Sequence, residues 1–570
     1  MADREHRCDV LVIGSGASGF TAALTARKHG ADVLVVEKEE IFGGTSATSG
    51  GTLWIPGNPH SPEVKGEPGL EEALASARRY VLAQGGNYID RDRLDTFLDN
   101  GHRMVSFLER ETEVRFYSND YPDYYSEQPE SSTLRSIHTV NYRASALGAA
   151  RKTLKNQLPQ MLFLGLAIGS SVEMKEFMQA GRSIKSMGFV VKRMAQHFLD
   201  VIRYGHDEQA VRGRALIARM YRSIMDLDIP VWLGSPVEEL IRDGDRVTGA
   251  IVRTADGRVR VTAAKGVISA CGGYAGDPVR RAATYPPLGS GPNHAQVTPP
   301  GNTGDGVTMA EKIGAAFNGD VAETASWMPV SVRPGAARFE NVWPHLVDRQ
   351  KPGFIAVTRH GRRFVDESAS YHHFVPPMLR ACEGDDEAFA WLISDKTGIS
   401  RWGMGFVRPS PVPHGRYIRS GYLKRASSLA ELADQTGIDK AQLLETVRAF
   451  NENARIGVDP DFNRGGRTYD HYQGDDEVGP NNCLAPLEKG PFFAVKIVPS
   501  EIGTFAGLRT DVNASVLDQD GAPIAGLYAV GNDQANVFGG TYPGAGSTLG
   551  PGMTFAYIAG KHAAGRSDAA

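Results

Sequence analysis

The sequence predicts an α/β fold of more than one domain, built around a parallel sheet to which both ends of the chain contribute. Residues 9–37 read as a buried strand, a glycine turn, an alanine-rich helix and a second buried strand. Residues 229–277 alternate short strands with Asp-Gly turns, a pattern typical of a β-meander. Residues 526–536 form another buried strand near the C-terminus. A chain of 570 residues is too long for one simple core, so a further domain is expected between these parts.

Composition and charge exclude several classes of protein. Hydrophobic residues make up 41% of the chain and charged residues 22%, which is ordinary for a globular protein. The net charge of −4 is spread along the chain, so there is no basic region for nucleic acid. Cys8, Cys271, Cys382 and Cys483 lie far apart, which predicts a reducing compartment and neither a disulfide framework nor a zinc site. The N-terminus has no apolar signal region, which predicts a cytoplasmic location.

The first βαβ unit carries a turn suited to a pyrophosphate. Gly14, Gly16 and Gly19 give the spacing GxGxxG, where missing side chains permit a tight turn and let phosphates reach backbone N–H groups. The N-terminus of the helix then faces the phosphate charge. Glu37 stands at the end of the second strand, where its carboxylate can accept both hydroxyls of an adenosine ribose. The predicted dinucleotide contacts of this unit are Gly14, Gly16, Ser18, Gly19, Glu37 and Lys38.

A second glycine-rich segment, FGGTSATSGGTLWIPGN at residues 42–58, favours FAD over NAD. An FAD site uses such a segment to wrap the ribityl chain and to pass beside the isoalloxazine ring, and an NAD site does not need it. The predicted contacts here are Gly44, Thr45, Ser46, Ser49, Gly50 and Gly51. The segment resembles the fumarate reductase and 3-ketosteroid dehydrogenase superfamily of flavoproteins. Members that bind FAD covalently carry a histidine in this loop, and residues 42–58 contain none, so the resemblance implies non-covalent FAD.

The resemblance also implies the remaining cofactor contacts. In the family, one strand start lies by the adenine, a strand ending in two glycines closes the FAD domain, and a late strand reaches the ribityl chain and pyrophosphate. A helix beginning near residue 547 directs its N-terminal N–H groups at the flavin. The corresponding residues are Val237, Gly272, Gly273, Gly531, Asn532, Ser547 and Leu549.

These features predict a Rossmann-like FAD-binding domain, with a parallel sheet plus a β-meander, that is split by an inserted α+β catalytic cap domain. Residues 1–325 and 490–570 form the FAD-binding domain, and residues 326–489 form the catalytic domain. Residues 155–225 are methionine-rich and predict amphipathic helices, with an apolar run at 161–168 that is too short to span a bilayer. They form either a set of helices packed on the FAD domain, which we favour, or a flexible apolar surface that contacts a membrane and helps a lipophilic substrate to enter.

The segment NVFGGTYPGAGSTLGPGMTFAY at residues 536–557 holds a tyrosine among glycines, next to the predicted flavin. It resembles the Tyr-x-Gly-x-Gly segment of 3-ketosteroid Δ1-dehydrogenases, in which the tyrosine hydroxyl and the last glycine's N–H bind the substrate C3 carbonyl. The corresponding residues are Tyr542 and Gly546. Chemically the pair is an oxyanion hole, and each such donor is typically worth ~3 kcal/mol.

Removal of a proton next to a ketone also needs a base. RHGRRFVDESASYHHF at residues 359–374 resembles the family's GRRFVNE hairpin, after which a tyrosine acts as the catalytic base; here it is Tyr371. A free tyrosine has a pKa of ~10, so the base needs help from neighbouring hydrogen bonds. The family uses a second tyrosine from a PDY segment. YPDYYSEQP at residues 121–129 offers Tyr124 at that position, with Tyr125 as the alternative.

The resemblance therefore implies an FAD-dependent 3-oxosteroid 1-dehydrogenase-like oxidoreductase. It would remove a proton from the α carbon of a cyclic ketone, with a 3-ketosteroid as the first candidate, and pass a hydride from the β carbon to flavin N5. An external acceptor such as a quinone would take the electrons. A smaller ketone such as an oxocyclohexane carboxylate stays open as the substrate.

A reductase of unsaturated acids, of the fumarate reductase type, is the competing function. Those enzymes bind a dicarboxylate through an arginine and a histidine in the C-terminal flavin loop, and residues 539–555 contain no Arg, Lys or His. No metal site is expected, because the adjacent His372 and His373 lack a ligand-like spacing. The sequence leaves the oligomeric state open.

Overall fold

The computed structural model describes residues 4–66, 69–162, 165–169, 173, 176–177, 183–335 and 341–566. Its strands are β1 (Arg4–Ile13), β2 (Val33–Val36), β3 (Thr52–Trp54), β4 (Phe116–Ser118), β5 (Ser136–Thr139), β6 (Tyr142–Arg143), β7 (Gln209–Ala210), β8 (Val231–Trp232), β9 (Val237–Asp243), β10 (Arg246–Thr254), β11 (Gly257–Ser269), β12 (Phe317–Asn318), β13 (Ala325–Val332), β14 (Val342–Pro344), β15 (Phe354–Val357), β16 (Ala390–Ser394), β17 (Lys424–Ala426), β18 (Phe492–Thr504), β19 (Gly507–Leu508), β20 (Ser515–Leu517) and β21 (Pro523–Ala529). Its α-helices are α1 (Ala17–Lys28), α2 (Gly44–Thr48), α3 (Pro62–Lys65), α4 (Leu70–Gly85), α5 (Arg91–Glu111), α6 (Ile184–Tyr204), α7 (Arg212–Asp226), α8 (Pro278–Thr284), α9 (Asp305–Glu311), α10 (Tyr371–Ala381), α11 (Lys396–Trp402), α12 (Gly415–Arg419), α13 (Leu429–Thr436), α14 (Lys440–Ile456), α15 (Thr468–Gln473) and α16 (Leu549–Ala563).

The larger sheet has a parallel centre with antiparallel additions. Its order is β20-β21-β10-β11-β1-β2-β8, with β9 on the outer side of β10. Strands β21, β11, β1, β2 and β8 are parallel neighbours, whereas β9, β10 and β11 pair antiparallel as the predicted meander. Helices α1 and α16 pack together, and the central strands are buried, as parallel sheets require. The early and late parts of the chain thus share one sheet, as predicted.

A second, antiparallel sheet carries part of the site. Its order is β14-β13-β18-β16-β15, and β17 pairs with β18. Helix α10 packs against β13, and the helix therefore holds its first residue, Tyr371, beside this sheet. Strand β18 begins at Phe492, beyond the predicted end of the inserted domain at 489, yet it pairs with β13 and β16. The sheet therefore continues past the boundary that the sequence analysis set.

Helix α6 is amphipathic, but its apolar face is the exposed one. Its buried residues are Ser186, Arg193, His197 and Asp200. Arg193 donates to Asp207 at 2.6 Å and Arg143 donates to Asp200 at 2.7 Å, so ion pairs hold the polar face against the protein. The exposed apolar side chains include Ile184 at 94%, Ile202 at 83%, Leu199 at 62%, Val191 at 59% and Phe198 at 58%.

The remaining predictions for residues 155–225 are tested only where the structure describes them. Residues 163–164 of the apolar run, and several positions between 170 and 182, lie outside the described residues. Helix α7 follows at Arg212–Asp226 and is largely buried, as helices packed on the FAD domain require. Within the described ranges, none of the helices has the length and apolar character that crossing a bilayer requires.

Candidate active site

One cavity of about 1690 Å³ joins the glycine turn after β1 to the tyrosines of the second sheet. Drug-sized ligands occupy pockets of roughly 300–1,000 Å³, so this space is large enough for a dinucleotide together with a second ligand. Its walls come from both sheets and from the loops that join them.

The turn between β1 and α1 is shaped for close approach by a ligand. Gly14 has a φ of 110°, and a Cβ there would overlap the carbonyl oxygen of Ala270. Helix α1 begins at Ala17 and directs its first N–H groups toward the cavity edge, where Ser46 accepts from the Ala17 N–H at 3.0 Å. The turn and the helix N-terminus thus lie at the cavity edge, where the predicted pyrophosphate site requires them.

Glu37 is held rigidly at the end of β2. One carboxylate oxygen accepts from the Ser15 N–H at 3.0 Å and from the Ser15 hydroxyl at 2.6 Å, and the other accepts from the Glu39 N–H at 3.0 Å. The glutamate therefore faces the cavity and also orders the glycine turn. Ser15 was not predicted, although it lies inside GxGxxG.

The segment at residues 300–307, PGNTGDGV, adds cavity contacts that the sequence analysis missed. Asn302 donates to the Thr45 hydroxyl at 2.8 Å, which joins this segment to the second glycine-rich loop. The Lys38 ammonium donates to Asp305 at 2.7 Å and to Thr303 at 2.8 Å. The cluster of Gly, Asn and Asp was the signal available in the sequence.

Most of the predicted cofactor residues line the cavity. These are Gly14, Gly16, Ser18, Glu37, Lys38, Gly44, Thr45, Ser46, Ser49, Gly50, Gly51, Val237, Gly272, Gly531, Asn532 and Leu549.

Three predicted cofactor residues lie behind the cavity wall. Gly19 packs so closely on Gly14 that a Cβ would overlap its carbonyl oxygen. Gly273 donates its N–H to Asp533 at 2.9 Å. The Ser547 hydroxyl donates to the Gly544 carbonyl at 2.7 Å, which closes the loop before α16. Each of them shapes a segment of the wall through packing or backbone hydrogen bonds.

The three predicted tyrosines meet at one end of the cavity. The Tyr371 hydroxyl donates to the Tyr542 hydroxyl at 2.9 Å. The Tyr124 ring stacks on Tyr542 with centroids 5.4 Å apart and stands edge-on to Tyr371 at 5.7 Å. Tyr469, which was not predicted, packs on Tyr124 at 4.9 Å and also lines the cavity. Residues from four separate segments thus form one phenol cluster.

Tyr542 and Gly546 lie on a tightly constrained loop. Gly546 has a φ of 97°, and a Cβ there would lie 2.5 Å from the carbonyl oxygen of Thr52, so glycine is required. Within the described residues, its N–H makes no backbone hydrogen bond. Burial raises the pKa of Tyr542, while hydrogen bonds from Tyr371 and from the Gly546 N–H act in the opposite direction. Tyr542 and Gly546, four positions apart on this loop, both line the cavity.

Burial makes ionisation of Tyr371 costly. Burial raises the pKa of Tyr371 well above its ordinary value, and the Tyr542 phenol adds to this, while a hydrogen bond from Tyr124 lowers it. The Tyr124 ring also contacts that of Tyr371. Tyr125 instead packs on His373 with ring centroids 4.3 Å apart.

Buried ion pairs position these tyrosines. Asp123 accepts from the Trp54 indole at 2.8 Å and from Arg135 at 2.7 Å, and the backbone N–H of the next residue, Tyr124, bonds to the Pro543 carbonyl. The turn that precedes Tyr371 is held by Glu367, which pairs with Arg363 at 2.7 Å and Arg464 at 3.2 Å. Within the described ranges, no three His, Cys, Asp or Glu side chains are placed to hold a metal ion.

The chain is similar to known proteins over nearly its whole length. The FAD binding domain model matches residues 9–549. The chain is 34% identical to a 3-oxosteroid 1-dehydrogenase of Mycolicibacterium smegmatis, over 97% of this chain and 96% of that protein. The chain belongs to the 3-ketosteroid Δ1-dehydrogenase family of FAD-binding flavoproteins.

Two further proteins are similar to the chain over nearly their full length. The 4-oxocyclohex-2-ene-1-carboxylate 5-dehydrogenase of Sinomonas cyclohexanicum is 38% identical, over 98% of this chain and 94% of that protein. The crystal structure of the 3-ketosteroid Δ1-dehydrogenase of Sterolibacterium denitrificans, in complex with 1,4-androstadiene-3,17-dione, superposes with a TM-score of 0.90 at 34% identity, covering 98% of this chain and 99% of that one. The mixed α/β fold is thus that of FAD-dependent dehydrogenases.

Proposed function

We propose that the protein catalyses FAD-dependent α,β-desaturation of a cyclic ketone, at the end of the cavity where Tyr371, Tyr542 and Gly546 converge. The observation that carries this proposal is the hydroxyl pair of Tyr371 and Tyr542, 2.9 Å apart, beside the backbone N–H of Gly546. Two donors and one base at a single point are what enolisation of a ketone requires.

Each residue has a separate part in the proposed reaction. Tyr542 and the Gly546 N–H bind the carbonyl oxygen, and their hydrogen bonds strengthen as negative charge develops on it. Tyr371 takes the proton from the α carbon, supported by Tyr124. Bound FAD supplies the acceptor for the hydride from the β carbon. The burial of all three phenols keeps water away from the enolate.

The residues of the cavity fit FAD. In this proposal, the glycine turn holds the pyrophosphate at the N-terminus of α1 and Glu37 accepts from the ribose hydroxyls. The glycine-rich loop of residues 42–58, which lines the cavity, follows the ribityl chain. An external acceptor, such as a quinone, would then reoxidise the cofactor.

The relatives' names indicate two substrate classes, 3-ketosteroids and oxocyclohexane carboxylates. Anaerobic titration of the bound flavin with cyclic ketones of both classes tests the proposal, since a substrate bleaches the oxidised flavin spectrum. Fumarate and other unsaturated acids serve as the comparison for the reductase function, offered to the dithionite-reduced enzyme. Reoxidation by an unsaturated acid, without flavin reduction by any ketone, would show that the reductase is correct.

FAD is expected to be bound without a covalent link. Because residues 42–58 contain no histidine, heat or acid should release all the flavin into the supernatant as FAD. Chromatography of the supernatant identifies the nucleotide, and fluorescence of the precipitated polypeptide detects a covalent link. Flavin retained by the precipitate, or FMN in the supernatant, contradicts the expectation.

Replacement of Glu37 by alanine should weaken FAD binding about 10- to 100-fold, since hydrogen bonds to a charged group contribute ~1.5–3 kcal/mol. The apoprotein should still fold, with a modest fall in melting temperature from the lost bonds to Ser15 and Glu39, because Glu37 is half-buried at a strand end and contributes little to the core. Titration of the apoprotein with FAD measures the affinity. Glu40→Ala is the control, since Glu40 is exposed and does not line the cavity. Equal affinities for the two variants would remove Glu37 from the site.

We propose that the second sheet belongs to a catalytic cap inserted into the FAD-binding domain, as the sequence analysis predicts. The pairing of β18 with β13 and β16 supports an end of the cap near Thr504, later than residue 489. In this division, the FAD-binding domain comprises residues 1–324 and 505–570.

The exposed face of α6 supports peripheral contact with a membrane, through which a lipophilic ketone would enter. Its apolar side chains are flanked by the exposed cations Lys185, Lys192 and Arg203, which suit anionic lipid headgroups. Sedimentation with vesicles containing anionic phospholipid should recover the protein, and Phe198→Asp with Ile202→Asp should abolish recovery without loss of bound FAD. Ile456→Asp, at an exposed position on α14, is the control. Equal recovery of all the variants would remove α6 as the contact.

A further inference from the structure

Arg212, the first residue of α7, is a cavity residue to which the proposed reaction assigns no part. Its backbone has a φ of 54°, in the left-handed region that a side chain other than glycine rarely adopts. Its Nε donates to the Gly169 carbonyl at 3.4 Å, and its terminal guanidinium nitrogens make no hydrogen bond to any described residue. Backbone strain of this kind persists where the surroundings or a function require it.

The neighbours of Arg212 connect it to the tyrosine cluster. It packs against Gly51, which precedes Thr52, the residue that contacts Gly546. The Thr52 hydroxyl lies 3.0 Å from His138 Nδ1.

His138 continues this connection toward the tyrosines. Its ring is 5.9 Å from that of Tyr121, and Tyr121 packs at 6.3 Å on Tyr469 of the cluster. Burial and the Arg212 charge lower the pKa of His138 to about 4, so the imidazole is neutral at neutral pH and the positive charge of this corner is that of Arg212.

The other cations that line the cavity are already matched. Lys38 pairs with Asp305, Arg401 pairs with Asp475 and Glu477, and Lys351 donates to the carbonyls of Gln473 and Gly474. The lysines and arginines that line the cavity are Lys38, Arg212, Lys351 and Arg401.

Arg212 differs from them because its terminal guanidinium nitrogens have neither a carboxylate nor a carbonyl acceptor among the described residues. Its guanidinium forms an ion pair with none of the described carboxylates. The charge of Glu173 does act on Arg212, but that carboxylate accepts from the Gly169 N–H at 2.6 Å and from Asn141 at 3.0 Å. Burial lowers the pKa of Arg212, which reflects the free-energy cost of a desolvated guanidinium. An anionic ligand with two oxygens would offset this cost, because it can accept two parallel hydrogen bonds from the planar guanidinium.

We propose that Arg212 binds a carboxylate of the ketone substrate, so that the natural substrate is a cyclic keto acid held at its carbonyl by Tyr542 and Gly546 and at its acid group by Arg212. This inference rests on the proposed desaturation of a cyclic ketone. The FAD pyrophosphate is a poorer partner, because the turn at Gly14 to Gly19 supplies its site, whereas Arg212 contacts Gly51 and lies beside His138. The acid group can belong to a single oxocyclohexane ring or to the side chain of a 3-oxo steroid.

Steady-state kinetics of Arg212→Gln with matched acids and esters test the inference. The substrates are 4-oxocyclohexanecarboxylate and its methyl ester, and a 3-oxo steroid acid and its methyl ester. Loss of a charged hydrogen-bond donor should raise KM for an acid about 10- to 100-fold and leave kcat and the ester's KM nearly unchanged. Arg212→Lys should retain part of the preference for the acid. The acid whose KM increases more in Arg212→Gln identifies the ring system of the substrate.

Two further variants separate binding from folding. Arg212→Gly removes the charge and relaxes the left-handed backbone, so it should fold at least as well as the parent and still lose the preference for the acid. Arg401→Gln, at a cavity arginine with its own acidic partners, should keep the acid-to-ester ratio.

The outcomes distinguish this inference from the function on which it rests. An unchanged acid-to-ester ratio of KM in Arg212→Gln and Arg212→Gly overturns the inference. Loss of FAD affinity in these variants, with no change in that ratio, also overturns it. In both cases, flavin reduction by ketones still supports the proposed function. Flavin that no acid or ester reduces overturns both.

Discussion

Tyr542→Phe is expected to lower the rate of flavin reduction by the best ketone substrate about 100- to 1,000-fold, with little loss of substrate binding. The deleted hydroxyl is a hydrogen-bond donor to the carbonyl oxygen, and that bond strengthens only as the enolate charge develops. The effect should therefore fall on the rate at saturating ketone, measured by anaerobic stopped-flow absorbance, and much less on the concentration that gives half the maximal rate.

The structure offers a matched control for this variant. Tyr557 is buried on α16, the helix that follows the Tyr542 loop, and it does not line the cavity. Tyr557→Phe should reduce the flavin at the parent rate. If Tyr542→Phe also reacts at the parent rate, the loop does not bind the carbonyl. An equal loss in both variants would indicate that the helix, and not the donor, is responsible.

The parts of the fold and site that could be predicted are those encoded by local patterns. The strand, glycine turn and helix at the start of the chain need only neighbouring residues, and Glu37 lies where the second strand ends. Gly546 is fixed by a positive φ and by the contact with Thr52, and this requirement is visible as a glycine in the sequence. Tyr371 and Tyr124 follow segments with recognisable spacing, so the resemblance could place them.

Other parts depend on contacts between distant segments and leave weak local signals. Tyr469 joins the phenol cluster from α15, and nothing in its own neighbourhood marks it. Arg212 becomes notable only when the structure shows that its guanidinium faces the cavity without an acidic partner. The α6 sequence predicts an amphipathic helix, but which face is buried depends on Asp207 and Arg143, which pair with its polar side chains. The periodicity of a helix shows that it has an apolar and a polar face, but it does not show which of the two is buried against the protein.

Tyr371→Phe is expected to slow two processes together, flavin reduction and the exchange of the substrate's α-hydrogens with solvent, because both need the phenol oxygen as the base. Each should fall at least about 100-fold, the lower end of what a positioned acid–base group contributes. Nuclear magnetic resonance of the ketone in deuterium oxide follows the exchange, and stopped-flow absorbance follows the reduction. Tyr469→Phe is the control, since it removes a cavity phenol that does not contact the Tyr542 hydroxyl.

The pH dependence and a double variant identify Tyr371 as the base more firmly than the single rate. Because burial raises the pKa of Tyr371, its phenol is protonated at neutral pH. The phenolate fraction grows as pH increases, and the parent rate should therefore rise from neutral toward alkaline pH. Tyr371→Phe should lose this rise, whereas Tyr542→Phe should keep it at a lower rate. The defects of the double variant should be less than additive if both residues act in one step. If the Tyr371→Phe enzyme exchanges α-hydrogens at the parent rate, and this rate rises with pH as in the parent, the base is another group.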